Sequence, residues 1–88
     1  MGQVAVLFRL MPQGVETDMR AMAEAVRSAA PTGVTIRGMQ VKDIAYGLKS
    51  LLVSAVMADA GGVLEATEHA FAKVPHVESV EVMEEGLL

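Results

Sequence analysis

Residues 48–58 read LKSLLVSAVMA, an apolar segment rich in leucine, valine and alanine. Its longest apolar run is interrupted by Ser54 and bounded by Lys49 and Asp59, so it falls far short of the roughly 18 residues that a membrane-spanning helix needs. A bounded segment of this length and composition is typical of a strand buried inside a sheet. Residues 59–62 (DAGG) form a turn signal directly after it, and the sequence therefore predicts a strand over residues 48–58.

Three more strands are predicted on either side of this segment. Residues 4–11 (VAVLFRLM) carry apolar side chains at both alternating sets of positions, which predicts a strand that is largely buried on both faces and ends at Pro12 and Gly14. Residues 34–41 and 77–84 are more polar, and charges or glycine dilute their alternation, which favours the edges of a sheet. The charged pair that follows residues 34–41 is predicted to be a loop: Lys42 and Asp43.

Two stretches with apolar residues at helical spacing lie between the strands. The first follows Thr17 and Asp18, either of which can cap the N-terminus of a helix, and its methionines are expected in the core. The second stretch is closed by Pro75. The apolar positions are Met19, Met22, Ala23 and Val26 in the first stretch, and Leu64, Thr67, Ala70, Phe71 and Val74 in the second.

The order β-α-β-β-α-β predicts an α+β fold, the ferredoxin-like sandwich. This fold has a four-stranded antiparallel sheet of order 4-1-3-2 with two helices on one face, and the two most apolar strands, the first and the third, fit its centre. A chain of 88 residues allows one domain, residues 1–88. The other face of the sheet is expected to present residues such as Leu7, Arg9, Lys49 or Leu51, and the sequence leaves open which of them.

Composition argues against several classes of partner. Seven Lys and Arg stand against eleven Asp and Glu, for a net charge of −4, and the three aromatic residues Phe8, Tyr46 and Phe71 are scattered. Neither feature suits a direct nucleic-acid binder. Cysteine is absent, which excludes disulfides and thiolate chemistry. No basic segment precedes the first apolar stretch, so we expect a cytoplasmic protein without a membrane partner.

No constellation for covalent catalysis or metal binding is recognisable. His69 follows Glu65 by four residues, which places both on one helix face, but no third ligand is indicated. The pair Gly61-Gly62 lacks the spacing of phosphate-binding loops, and no Ser or Thr stands in a triad order with a histidine and an acid. We therefore expect no catalytic residue, no metal and no cofactor.

Two segments of the sequence are candidates for contact with a partner. Residues 42–49 (KDIAYGLK) hold the one tyrosine, Tyr46, next to Gly47. A tyrosine at a loop tip is a favoured contact residue, although the ring could equally pack over the edge of the sheet. The chain ends in Gly86, Leu87 and Leu88, an apolar tail that either folds back onto the domain or meets a partner. General tendencies favour folding back.

Residues 44–49 (IAYGLK), followed by the apolar strand and Asp59, resemble the signature of the elongation factor 1-beta family. Residues 11–12 (MP), residues 17–18 (TD) and residues 76–82 (HVESVEV) also match family features, so the resemblance covers essentially the whole chain. The archaeal form of this family is a stand-alone domain of this size with the ferredoxin-like fold.

The resemblance implies a function and a set of contact residues. Members promote GDP/GTP exchange on the GTPase elongation factor 1-alpha by stabilising its nucleotide-free form, a non-covalent activity, and a monomer is expected. In the eukaryotic relatives the loop aromatic, here Tyr46, contacts the second domain of the GTPase. The partner-binding residues implied are Ile44, Ala45, Tyr46, Gly47, Lys49, Glu85, Gly86, Leu87 and Leu88.

The C-terminus departs from the family pattern. Eukaryotic members carry a penultimate lysine that reaches the Mg²⁺ site of the GTPase, and Leu87 stands at that position here. We therefore expect Leu87 and Leu88 to wedge against the GTPase by apolar contact. Glu84, Glu85 or the terminal carboxylate would compete for its phosphate-binding lysine.

A second function remains open at this point, because ferredoxin-like folds serve many purposes. The alternative is a regulatory domain that binds a small ligand and dimerises edge to edge. It predicts self-association and no affinity for a GTPase.

Overall fold

The computed structural model describes residues 2–88, and they follow the predicted element order. The elements are β1 (Gln3–Pro12), α1 (Met19–Ala29), β2 (Thr35–Ala45), β3 (Leu48–Ala58), α2 (Val63–Ala72) and β4 (Val77–Leu87). The strands form one sheet of order β2-β3-β1-β4 in which all neighbours are antiparallel. This is the predicted order 4-1-3-2 counted from the other edge, and the ferredoxin-like fold is confirmed.

One hydrophobic core lies between the sheet and the two helices. β1 and β3 occupy the centre of the sheet, as their apolar sequences predict, and alternate residues of both are buried. Phe8 of β1 and Phe71 of α2 meet with ring centroids 5.2 Å apart and planes at 82°, the edge-to-face arrangement that aromatic pairs prefer. The buried apolar residues are Val4, Val6, Phe8, Leu10, Met22, Val26, Leu51, Val53, Ala55, Met57, Phe71, Val74 and Val77.

Helix α1 begins where the capping residue predicts. The carboxylate of Asp18 accepts hydrogen bonds from the backbone N–H groups of Arg20 and Ala21, each 3.1 Å long. These bonds satisfy two of the amide groups that the first turn of a helix leaves without partners. The helix then turns Met22 and Val26 into the core, which confirms the predicted apolar stripe.

The extent of β2 was predicted wrongly. The strand continues to Ala45, so Lys42 and Asp43 are strand residues rather than a loop. The cause lies in the neighbouring strand: Asp43 pairs with Lys49 of β3, and their charged atoms are 3.1 Å apart. A cross-strand pair of opposite charge supports a ladder that neither residue favours by propensity alone.

The ends of β1 and α2 differ from the prediction by one or two residues. Pro12 does not interrupt β1 but is its last residue, paired with Val77 at the start of β4. Val74 is buried, as the helical stripe predicted, but it lies beyond the end of α2 at Ala72.

The face of the sheet opposite the helices is called the open face below. Side chains alternate between the two faces along a strand. Leu7 and Arg9 alternate with the buried residues of β1, and they therefore lie on the open face. Leu51 is buried on the helix side, and Lys49 shares that side by alternation. Of the candidates named from the sequence, only Leu7 and Arg9 therefore belong to the open face. Within residues 2–88, neither helix has the length and apolar character needed to cross a membrane.

Candidate partner-binding site

The first candidate segment is the tip of the hairpin that joins β2 to β3. Its ladder continues to the last pair before the turn, Ala45 with Leu48. The extra residue Ile44 forms a bulge in β2, which increases the local twist of a strand. All residues from 40 to 47 are exposed. The segment 42–49 is thus a projecting hairpin with a two-residue turn, where the sequence predicted a loop over residues 42–47.

The turn itself consists of Tyr46 and Gly47. Both residues have positive φ, 54° and 81° respectively, which is the signature of the type I′ turn that joins twisted strands most easily. Glycine adopts this conformation freely, whereas tyrosine does so at a cost. The cost indicates that tyrosine stands here for a reason other than turn formation.

The ring of Tyr46 has no protein surface to rest on. The residue is 101% exposed, so the alternative that it packs over the sheet edge is wrong. Ile44 and Val41, exposed to 46% and 44%, lie on the same hairpin. Exposed large apolar side chains grouped on a projecting element mark a contact surface.

The second candidate segment, residues 84–88, is called the C-terminal segment. It forms the last part of β4 and pairs with the beginning of β1: Gly86 lies opposite Ala5 and Leu87 opposite Val4. The N–H of Leu88 donates to the carbonyl of Gln3 at 2.9 Å. The backbone therefore folds back onto the domain, as expected.

The side chains of this segment remain available to a partner. Leu87 is 73% exposed and Leu88 is 74% exposed, although both lie on an ordered backbone. A residue whose backbone is already held in a strand loses less conformational freedom on binding than a residue on a frayed chain end.

A bulge at Met83 decides which face each residue of the segment occupies. Phe8 pairs with Val82, and the next residue of β1, Leu7, pairs with Glu84, so Met83 is an extra residue in β4. Without the bulge, alternation would place Met83 opposite Leu7 on the open face. With it, Glu84 and then Gly86 stand on that face.

The structure does not bring the two candidate segments together. Nine residue steps of β3 separate Leu48, at the hairpin tip, from Met57, which is level with Val4 and Leu87. At about 3.3 Å per residue this is roughly 30 Å, and the longest dimension of the molecule is 43 Å. Tyr46 and Leu87 therefore lie at opposite ends of one sheet.

A groove beside the C-terminal segment was not predicted from the sequence. It has a volume of about 570 Å³ on the open face, where β3, β1 and β4 adjoin. Its residues are scattered along the chain, and only the strand register brings them together. They are Ala5, Val6, Leu7, Ser54, Glu84, Glu85, Gly86, Leu87 and Leu88.

The histidines lie on the surface. His69 and His76 are both exposed, as is Glu65. In the described part of the chain, no three His, Asp or Glu side chains come close enough to hold a metal ion. His76 has φ of 74° and its carbonyl accepts from the N–H of Gln13 at 3.0 Å, so it forms part of the junction between β4 and the segment after β1.

Among solved structures, the fold resembles that of the C-terminal domain of the MgtC protein from Mycobacterium tuberculosis. The TM-score is 0.53 at 19% identity, and the match covers 100% of this chain and 88% of that one. At this identity the likeness shows the fold alone.

Comparison of the sequence with known families and proteins identifies the family. The family described as EF-1 guanine nucleotide exchange domain matches residues 5–87. An elongation factor 1-beta of Methanococcoides burtonii is 41% identical over 86 residues, which cover 98% of this chain and 97% of the relative. An elongation factor 1-beta of Haloarcula marismortui is 38% identical over 88 residues, 100% of both chains. The chain therefore belongs to the EF-1 guanine nucleotide exchange domain family and acts as a guanine nucleotide exchange factor.

Proposed function

We propose that this chain accelerates GDP release from elongation factor 1-alpha by binding the GTPase most tightly when nucleotide is absent. The family match supports the activity. Because the two binding equilibria are linked, a factor that prefers the empty GTPase weakens its hold on GDP by the same factor. No covalent bond forms or breaks, and the chain works as one domain, residues 1–88.

The observation that carries the mechanism is the placement of exposed apolar groups at both ends of one continuous sheet. Tyr46 projects from one end, and Leu87 and Leu88 lie at the other. β1 and β3 connect the two ends through an unbroken ladder. The chain contacts two separate parts of the GTPase at once, and the sheet fixes the distance between them.

The hairpin tip supplies affinity in this proposal. The ring of Tyr46 is the main contact, and Ile44 extends its apolar surface. Ala45 and Gly47 have small side chains or none, so the partner backbone can approach closely. Lys49, paired with Asp43, stiffens the hairpin behind the contact.

The C-terminal segment supplies the change in nucleotide affinity. Leu87 and Leu88 wedge against the nucleotide-binding domain by apolar contact. Glu85, on the same segment, competes with the nucleotide for the lysine that binds its phosphates. Because Gly86 has no side chain, the partner can approach the neighbouring residues of this segment closely.

The proposed working form is a monomer that acts in the cytoplasm, where elongation factor 1-alpha delivers aminoacyl-tRNA to the ribosome. A monomer leaves both ends of the sheet accessible. The edge-to-edge dimer of the alternative function would cover β2 or β4, the two strands that carry the proposed contacts.

Release of fluorescent GDP from elongation factor 1-alpha tests the assignment of roles. Replacing both Leu87 and Leu88 by alanine removes only exposed side chains and leaves the backbone ladder intact, whereas truncation after Met83 also removes paired strand. We expect the double variant to bind the GTPase but to lower the maximal release rate at least tenfold.

A matched control is Val15→Ala, which truncates another exposed apolar side chain, 62% exposed, between β1 and α1. It should release GDP at the parent rate. Parent-like release by the double variant would remove the C-terminal segment from the mechanism.

A further inference from the structure

The groove on the open face has a floor of small residues. Ala5 of β1 pairs with Gly86 of β4, and both stand on the open face. In the next row, Leu7 lies between Ser54 on one side and Glu84 on the other. Because Ala5 and Gly86 are small, the surface dips beside Leu7 and forms a groove of about 570 Å³ that both apolar and polar residues line.

The carboxylates along this face are not equivalent. Glu81 accepts a hydrogen bond from the Nε of Arg9 at 3.0 Å and forms an ion pair with it. The ion pairs of residues 2–88 also include Arg20 with Glu24 and Lys49 with Asp43, and none involves Glu84. Arg9 thus pairs with one acid of the open face, whereas Glu84, the groove acid on that face, takes part in no ion pair of residues 2–88.

We propose that this groove receives a lysine or arginine side chain of elongation factor 1-alpha, and that Glu84 binds its charged end. The inference rests on the proposed function, since it names a group of the same partner that the C-terminal segment receives. The methylene stem of a basic side chain can pack against the small residues Ala5 and Gly86, while its charged end stays at the rim of the groove. The groove adjoins Leu87 and Leu88, so it continues the surface that the C-terminal segment presents.

Charge favours this occupant over a second copy of the chain. Each copy carries a net charge of −4, and two copies meeting at this groove would bring unpaired carboxylates together. A basic group from a partner instead pairs with Glu84, and such complementarity sets specificity and association rate more than affinity alone.

The glycines of the open face allow a test that does not threaten the fold. Gly86 has an ordinary φ, and a Cβ built on it meets nothing within 4 Å. The same holds for Gly38, which lines a different depression of about 330 Å³ on the same face. Valine is also a better strand residue than glycine, so both Gly86→Val and Gly38→Val should fold.

The experiment measures the affinity of each variant for purified nucleotide-free elongation factor 1-alpha, together with thermal unfolding. We expect Gly86→Val to unfold at or above the parent temperature and to bind at least tenfold more weakly, because its side chain fills the groove. Gly38→Val should bind like the parent. Glu84→Gln should bind more weakly at low salt and show a shallower dependence of affinity on salt concentration.

The other outcomes separate failure of the groove proposal from failure of the proposed function. Parent-like binding by Gly86→Val overturns the groove as a contact, and an unchanged salt dependence in Glu84→Gln overturns the basic occupant. If the parent forms dimers that Gly86→Val abolishes while GTPase binding persists, the groove serves a second copy and the proposal is wrong. Failure of the parent itself to accelerate GDP release overturns the proposed function instead, so the two failures are distinguishable.

Discussion

The substitution Tyr46→Asn separates the contact role of this residue from its role in the turn. Tyr46 has φ of 54° and is followed by Gly47 with φ of 81°. A left-handed conformation costs an ordinary L-residue about 1 to 2 kcal/mol, whereas asparagine tolerates it, and Asn-Gly is a preferred type I′ pair. Since the tyrosine ring is fully exposed, its removal exposes no core. We expect the free energy of unfolding to rise by about 0.5 to 1 kcal/mol.

The same change should weaken the complex strongly. A tyrosine ring that becomes buried removes about 150 Å² or more from water, and at roughly 25 cal/mol per Å² this is worth up to ~4 kcal/mol. Truncation of such contact residues typically costs ~2 to 4 kcal/mol. The dissociation constant should therefore rise roughly 30- to 1,000-fold.

Calorimetric titration against nucleotide-free elongation factor 1-alpha, paired with chemical denaturation, measures both effects. Tyr46→Phe keeps the ring and serves as the control, with affinity close to the parent and no gain in stability. Binding of Tyr46→Asn as tight as that of the parent would show that the ring makes no contact with the GTPase. A fall in stability would show instead that the ring supports the fold.

Three further substitutions test the account of the fold. Asp18→Ala removes two hydrogen bonds to the first turn of α1 and should cost about 1 kcal/mol, seen as a melting temperature lower by roughly 4 to 8 °C. Gly47→Ala places a Cβ at φ of 81° with no steric neighbour, so circular dichroism melts should report only the conformational penalty of about 1 to 2 kcal/mol. Phe71→Ala empties the core beside Phe8 and should cost about 3 to 5 kcal/mol, measured as a lower midpoint in denaturant titrations. A smaller loss than that of Asp18→Ala would contradict the assignment of this pair to the core.

The hydrophobic periodicity of the sequence was sufficient to predict the fold, because the buried positions recur at the spacing of a strand or of a helix. The apolar strand segments 4–11 and 48–58 and the two helical stripes all depend on burial, which the hydrophobic pattern of the sequence reflects directly. The hairpin was harder to predict. Lys42 and Asp43 have low strand propensity, and the pairing of Asp43 with Lys49 that keeps them in β2 is a tertiary effect.

The bulges limited what could be predicted of the candidate site. The extra residue Met83 shifts the register by one, and a shift of one exchanges the two faces of a strand. No local pattern in the C-terminal segment reveals this bulge, so the groove formed by Gly86, Ala5 and Leu7 could not be foreseen. The contact residues were named from a family resemblance, and their positions at opposite ends of the sheet follow from the antiparallel order.

Nuclear magnetic resonance of the complex shows whether both ends of the sheet contact the GTPase at once. The chain carries a labelled ring at its one tyrosine, Tyr46, and labelled leucine and alanine methyl groups, and unlabelled nucleotide-free elongation factor 1-alpha is added. We expect the signals of Tyr46 and of Leu87 and Leu88 to shift or broaden together, while the signal of the exposed methyl of Ala21 on α1 stays unchanged. Perturbation at one end of the sheet alone would contradict the claim that both ends engage the GTPase at once.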